Sequence, residues 1–123
     1  SAALNAADPK SEIDMLMGIG AAPEGVITAT ALRGLGAPFE GRLVFKDEGH
    51  RERAENMIDG DIERLWDRDQ LCASDDAVFI GTGVCPGRTF GVEPLSDGRY
   101  SVQSEVIDVA SGSHRFVDNI RSA

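Results

Sequence analysis

Positive charge is scarce in this chain: 12 Lys and Arg stand against 21 Asp and Glu among 123 residues, a formal net charge of −9. Nucleic acid is excluded as a partner by that balance, since a phosphate backbone demands a basic stripe. An anionic membrane surface is excluded for the same reason. No apolar run approaches the roughly 20 residues of a membrane helix, and residues 1–7 lack the basic start and apolar stretch of a secretory leader. Cysteine is equally sparse. Cys72 and Cys85 make neither a disulfide framework nor a CxxC pair, and with only His50 and His114 they leave too few ligands for zinc. A cytoplasmic protein with reduced thiols is the expectation. No GxSxG elbow is present, and Cys85 has no basic neighbour in sequence to make a catalytic thiolate.

What is present suffices for one core: 41% of residues are hydrophobic, so residues 1–123 read as a single domain. The chain opens on Ser1 rather than Met and is read as processed or as a piece of something longer. Residues 1–7 suggest the tail of a helix broken by Asp8-Pro9, and residues 13–17 a short apolar strand. Residues 23–35 read as a helix with Pro23 in its first turn, Arg33 in its last and Gly36 as its stop. Its packed face is expected at Ile27, Ala31 and Leu35. Residues 41–46 read as a strand. Within residues 48–71, Ala54, Ile58, Ile62 and Leu65 trace an amphipathic helix that Gly60 splits in two, with Trp66 in the core near its end. Residues 77–80 form a continuous apolar run, expected as a strand covered on both faces. Residues 99–109 and 114–121 form a carboxyl-terminal hairpin across Ser111-Gly112-Ser113. The order implies an α/β layered sheet with helices and mixed strands.

The acidic pairs Asp59/Asp61, Asp67/Asp69 and Asp75/Asp76 do not make a calcium loop. Counted from Asp67, the sixth position is Cys72 instead of glycine and the twelfth is Val78 instead of Glu. Helix caps and solvated faces account for them better. Gly81-Thr82-Gly83 fits either a plain turn or the lip of a pocket.

The segment with chemistry in it runs from Gly18 to Gly25, GIGAAPEG. It sets a glycine turn between the expected strand and the expected helix, a place where ligands gather in open α/β sheets. Exposed amides at a helix start attract anions, yet Glu24 would repel a phosphate unless a divalent cation lay between them. Its other reading is plain complementation of the helix dipole. Both stay open from these residues alone.

Asp14 to Gly25, continuing through Ala31-Leu32-Arg33 to Gly41-Arg42-Leu43, resembles the late block of class II fructose-1,6-bisphosphatases. These are the bacterial gluconeogenic enzymes and the cyanobacterial fructose/sedoheptulose bisphosphatases. Ser74-Asp75 to Gly83 and Ser113 to Asp118 resemble the family's final strands. The resemblance implies the carboxyl-terminal part of a sugar-phosphatase fold shared with inositol monophosphatases. It implies hydrolysis of the 1-phosphate of fructose 1,6-bisphosphate assisted by Mg²⁺ or Mn²⁺. It further implies a metal ligand at Glu24 and sugar-phosphate contacts at Gly20 and Ala21, where Ala21 replaces a common glycine. The family's other metal carboxylates and basic phosphate-gripping residues belong upstream of this portion, so the chain alone is expected to be inactive, and residues 47–76 are shorter than the family suggests. A non-catalytic sugar-phosphate-binding or oligomerisation module is the alternative. A homo-oligomer joined at sheet edges or near Glu24 is expected.

Overall fold

The computed structural model describes residues 2–122. Helix α1 spans Ala2–Ala7 and ends in the turn that Asp8 and Pro9 impose, where the Asp8 amide donates to the Asn5 carbonyl at 3.2 Å. Helix α2 spans Ala22–Gly34. Its end closes as a Schellman motif: the Ala37 amide donates to the Leu32 carbonyl at 2.9 Å and the Gly36 amide to that of Arg33 at 3.1 Å. Gly36 makes this possible at φ +70°, a conformation that a Cβ disfavours.

The region predicted as a long amphipathic helix breaks earlier than Gly60. Helix α3 covers Glu48–Met57, capped by the Asp47 carboxylate on the His50 amide at 2.9 Å, and Ile58 is already extended. Instead of a second helix there is a turn through Gly60 (φ +91°), a short strand and a single helical turn, α4, Arg68–Leu71. Reciprocal bonds between Asp67 and Gln70, at 2.8 and 3.0 Å, cap α4 and outweigh helix continuation. The strand predicted at 41–46 shrinks to β1, Glu40–Gly41, which pairs with β2, Trp66–Asp67.

The main sheet has four strands: β3 (Val78–Thr82), β4 (Val92–Pro94), β5 (Tyr100–Asp108) and β6 (His114–Arg121). β5 lies at its centre, with β3 and β4 along one side and β6 along the other. The β5–β6 pair is the predicted carboxyl-terminal hairpin. The helices and sheets are there as expected, but the mixed strands are not: every strand pairing among the described residues is antiparallel. No regular structure forms at residues 13–17, where a strand was expected, because no strand pairs with them here.

Ile107, fully buried on β5, meets Leu4 of α1 and Ala31 of α2, with Leu35 and Phe79 packed around them. Small residues on α2 let the helix lie close. A Cβ at Gly34 would collide with Cγ2 of Ile107. The buried face of α2 is Ala29, Ala31 and Leu32, whereas Ile27, expected on the packed face, is exposed. On the opposite sheet face Val78 and Ile80 are exposed, Ile80 at 64%, so the apolar run 77–80 is covered on one face only.

Beside Ile107 sits Glu105, 3% exposed. Arg88 grips it from Nε at 2.9 Å, His114 Nε2 lies 2.8 Å from Oε1, and Arg88 Nη1 donates to Asn5 of α1 at 2.9 Å. A buried carboxylate in this setting is stable only because its partners replace its lost hydration.

Two outcomes follow. Gly34→Ala should destabilise the chain by about 1–3 kcal/mol in urea titrations, although alanine is the better helix former by about 1 kcal/mol; stabilisation would refute the close α2–β5 contact. Burial pushes the Glu105 carboxyl up, and the hydrogen bonds from Arg88 and His114 overcome it, so its pKa lies below the ordinary 4.5. A depressed carboxyl gives stability that is present above the unfolded pKa and lost as pH falls through the folded one. The urea midpoint should therefore fall as pH drops from that ordinary value, and Glu105→Gln should flatten the dependence.

Candidate functional site

Gly20, Ala21 and Glu24 lie together at the start of α2, and Glu24 occupies its first turn. Glu24 turns back along the chain: Oε2 accepts the Ala21 amide at 2.8 Å. Ala21 has no side-chain acceptor, so this is one half of a capping box. The fit around the carboxylate is close, because a Cβ built on Gly20 would stand 2.8 Å from Oε2. The Ala21 amide is thereby engaged by Glu24. The amides of residues 14–20 donate to no acceptor among the described residues.

Both readings of Glu24 have a physical basis here. Its charge faces the positive helix end, and Oε1 forms no hydrogen bond among the described residues. One exposed carboxylate oxygen suits Mg²⁺ or Mn²⁺, which are oxygen-seeking. No group of three or more His, Cys, Asp or Glu that could hold a metal occurs among the described residues. Glu24 does not make a metal site by itself.

The other residues singled out in the sequence have structural work. Asp67 caps α4, while Asp69 and Asp75 pair with Arg33 of α2, which also donates to the carbonyls of Cys72 at 2.7 Å and Ser74 at 2.8 Å. Arg33 thus ties the end of α2 to the segment entering β3. Thr82 bonds Ser104 at 2.8 Å, and Gly83 leaves room for Thr89, so Gly81 to Gly83 behave as a packed strand end. Cys72 is buried, Cys85 is exposed, and both are free thiols. Trp66 is half-buried under the Arg64 guanidinium, 3.5 Å from its ring centroid, rather than deep in the core.

Sequence reasoning missed the Arg88–Glu105–His114 cluster. It borders a cleft of about 590 Å³ lined also by Asn5, Asp8, Lys10 and Phe116. No local signal marked it: Ser101, Gln103 and Glu105 precede Ile107 at alternate positions of β5, so Glu105 reads as one more polar residue on its strand. Its carboxylate is consumed by Arg88 and His114, so the cluster fastens α1 to the sheet and offers no free base.

The family model described as "Bacterial fructose-1,6-bisphosphatase, glpX-encoded" matches residues 1–121. A protein named D-fructose 1,6-bisphosphatase class 2/sedoheptulose 1,7-bisphosphatase from Synechococcus sp. (strain JA-2-3B'a(2-13)) is 38% identical over 98% of this chain and 38% of its own length. Similarly named proteins from Acaryochloris marina (strain MBIC 11017) and Nostoc sp. (strain PCC 7120 / SAG 25.82 / UTEX 2576) are 34% and 33% identical, over 98% and 99% of this chain. The chain spans only 38% and 39% of those two. The Synechococcus alignment runs over 133 positions against 123 residues, a difference of at least ten that the relative carries and this chain lacks.

Glu24→Ala removes both the bond to the Ala21 amide and the charge at the helix end. It should cost about 0.5–2 kcal/mol in thermal or urea unfolding, whereas Glu24→Gln keeps an acceptor and should cost less than about 1 kcal/mol. Equal losses for the two would contradict the capping geometry.

Proposed function

The chain belongs to the glpX-encoded bacterial fructose-1,6-bisphosphatase family, and on that footing we propose that it is the carboxyl-terminal part of a metal-dependent sugar bisphosphatase. The observation that carries this reading is Glu24 at the start of α2: its Oε1 forms no hydrogen bond among the described residues, and it follows a run, residues 14–20, whose amides donate to no acceptor among them. A carboxylate alone would repel a sugar phosphate, whereas carboxylate, divalent ion and phosphate together balance charge in an acidic protein. Bound Mg²⁺ or Mn²⁺ would supply Lewis-acid polarisation of the phosphoryl group and a more acidic water.

In this reading Glu24 is a metal ligand. Gly20 and Ala21 bring main chain close to the sugar bisphosphate, and the absence of a side chain at Gly20 leaves room for the Glu24 carboxylate. The substrate is fructose 1,6-bisphosphate, hydrolysed at its 1-phosphate, and the fold is that of the inositol monophosphatases. Two free thiols suit a reducing cytoplasm. No helix among the described residues is long and apolar enough to cross a membrane. The outer edges of β3 and β6, unpaired among the described residues, favour a two-fold homo-oligomer. A second reading is a non-catalytic sugar-phosphate-binding or oligomerisation module, in which Glu24 keeps only its bond to the Ala21 amide at the helix start.

Phosphate release separates the two. The chain alone, given Mn²⁺ and fructose 1,6-bisphosphate, should release none. Substituted for the matching portion of the Synechococcus relative, it should support release, and Glu24→Gln in that chimera should cut the rate by about a hundredfold or more with a nearly unchanged melting temperature. A folded chimera indifferent to Glu24→Gln would leave only the capping role.

A further inference from the structure

Residues 13–20 run between α1 and α2 without helix or strand, and form no backbone–backbone hydrogen bond among the described residues, yet their side chains are among the most apolar in the chain. Ile13, Met15, Met17 and Ile19 are exposed at 44, 74, 85 and 84%. They fall at every second position, with Asp14, Leu16 and Gly18 between them. In an extended chain that spacing puts all four on one face, the pattern of a strand with one buried side. The amides of residues 14–20 donate to no acceptor among the described residues. A solvated loop has neither such a row of large apolar side chains nor a reason to keep one.

We propose that residues 13–19 are a docking strand, and that its occupant is a polypeptide equivalent to the part of the relatives' length that this chain does not span. Such a partner adds a neighbouring strand along residues 13–19 and covers the Ile13–Met15–Met17–Ile19 face with apolar side chains. Length argues for this occupant: the relatives extend over more than twice the matched portion. A second copy of this chain, with net charge −9, is electrostatically the poorer fit for a face flanked by Glu12 and Asp14. The consequence reaches the candidate site directly. Residues 13–19 lead into Gly20, so pairing them fixes the turn that carries Ala21 and Glu24. This inference rests on the proposed function only for the identity of the partner. The pattern and the unpaired amides stand independently of it.

Co-expression of this chain with the remaining portion of the Synechococcus relative, followed by hydrogen exchange, tests it. Amides 14–20 should exchange at near-unprotected rates in the chain alone and slow by about a hundredfold or more in the complex. Met15→Asp with Met17→Asp should weaken association by about a hundredfold or more, because an unpaired carboxylate would be buried. Since both positions are exposed in the free chain, its melting temperature should stay within about 2 °C. Failure to associate, protection of 14–20 already present in the chain alone, or association indifferent to the double variant would each overturn the proposal. A complex with protected amides but no phosphate release with Mn²⁺ would uphold the docking strand and count against the phosphatase reading. Phosphate release without protection at 14–20 would do the reverse.

Discussion

The contact on which this structure depends is the seat of α2 on β5, where Gly34 and Ala31 lie against Ile107. Ile107 is the largest side chain fully removed from water, and it is reached from three directions, by Leu4, by α2 and by Phe79 across the strand pair. A small chain with so few deeply buried large side chains has little packing in reserve. Close approach of helix to strand recovers contact area that bulky residues supply elsewhere, and only small residues on α2 permit it.

Polar contacts hold the periphery to that seat. Arg88 binds Glu105 on β5 and Asn5 on α1, and His114 closes the other side of the carboxylate, so a helix of six residues stays fixed to the sheet. Arg33 performs the equivalent task at the far end of α2, binding Asp69, Asp75 and two carbonyls. The first cluster is buried and the second largely exposed, so the first contributes more per contact and is the more sensitive to losing a partner. Arg33 thus locates α2 at its carboxyl end, while its amino end, with Glu24, is exposed to solvent.

That asymmetry shapes the candidate site. A metal-binding carboxylate acts with others held at fixed distances, and here Glu24 is positioned only by its own helix turn and the Ala21 amide. Residues 13–19 before it are largely apolar and without regular structure, and the outer face of the sheet leaves Val78 and Ile80 in solvent. Both surfaces have the composition of buried ones.

The sequence by itself determined those features that depend on a few neighbouring residues. Pro23, Arg33 and Gly36 marked α2 to within a residue at each end, because caps and stops are local chemistry. The hairpin of β5 and β6 was legible for the same reason, and the GIGAAPEG run located the family's block. Tertiary contacts alone decided the remainder. Residues 13–17 have strand chemistry but no strand beside them, and a strand exists only when paired. The stretch after Met57 has helical spacing, yet Asp67 and Gln70 restart the chain and Trp66 pairs with Gly41 instead. Ile27 has a core residue's character, but nothing lies over it. Glu105 looks like an exposed strand residue until Arg88 and His114, 17 positions before it and nine after, converge on it. Period and propensity describe what a segment can do with its own neighbours, whereas burial and pairing depend on which distant segment arrives.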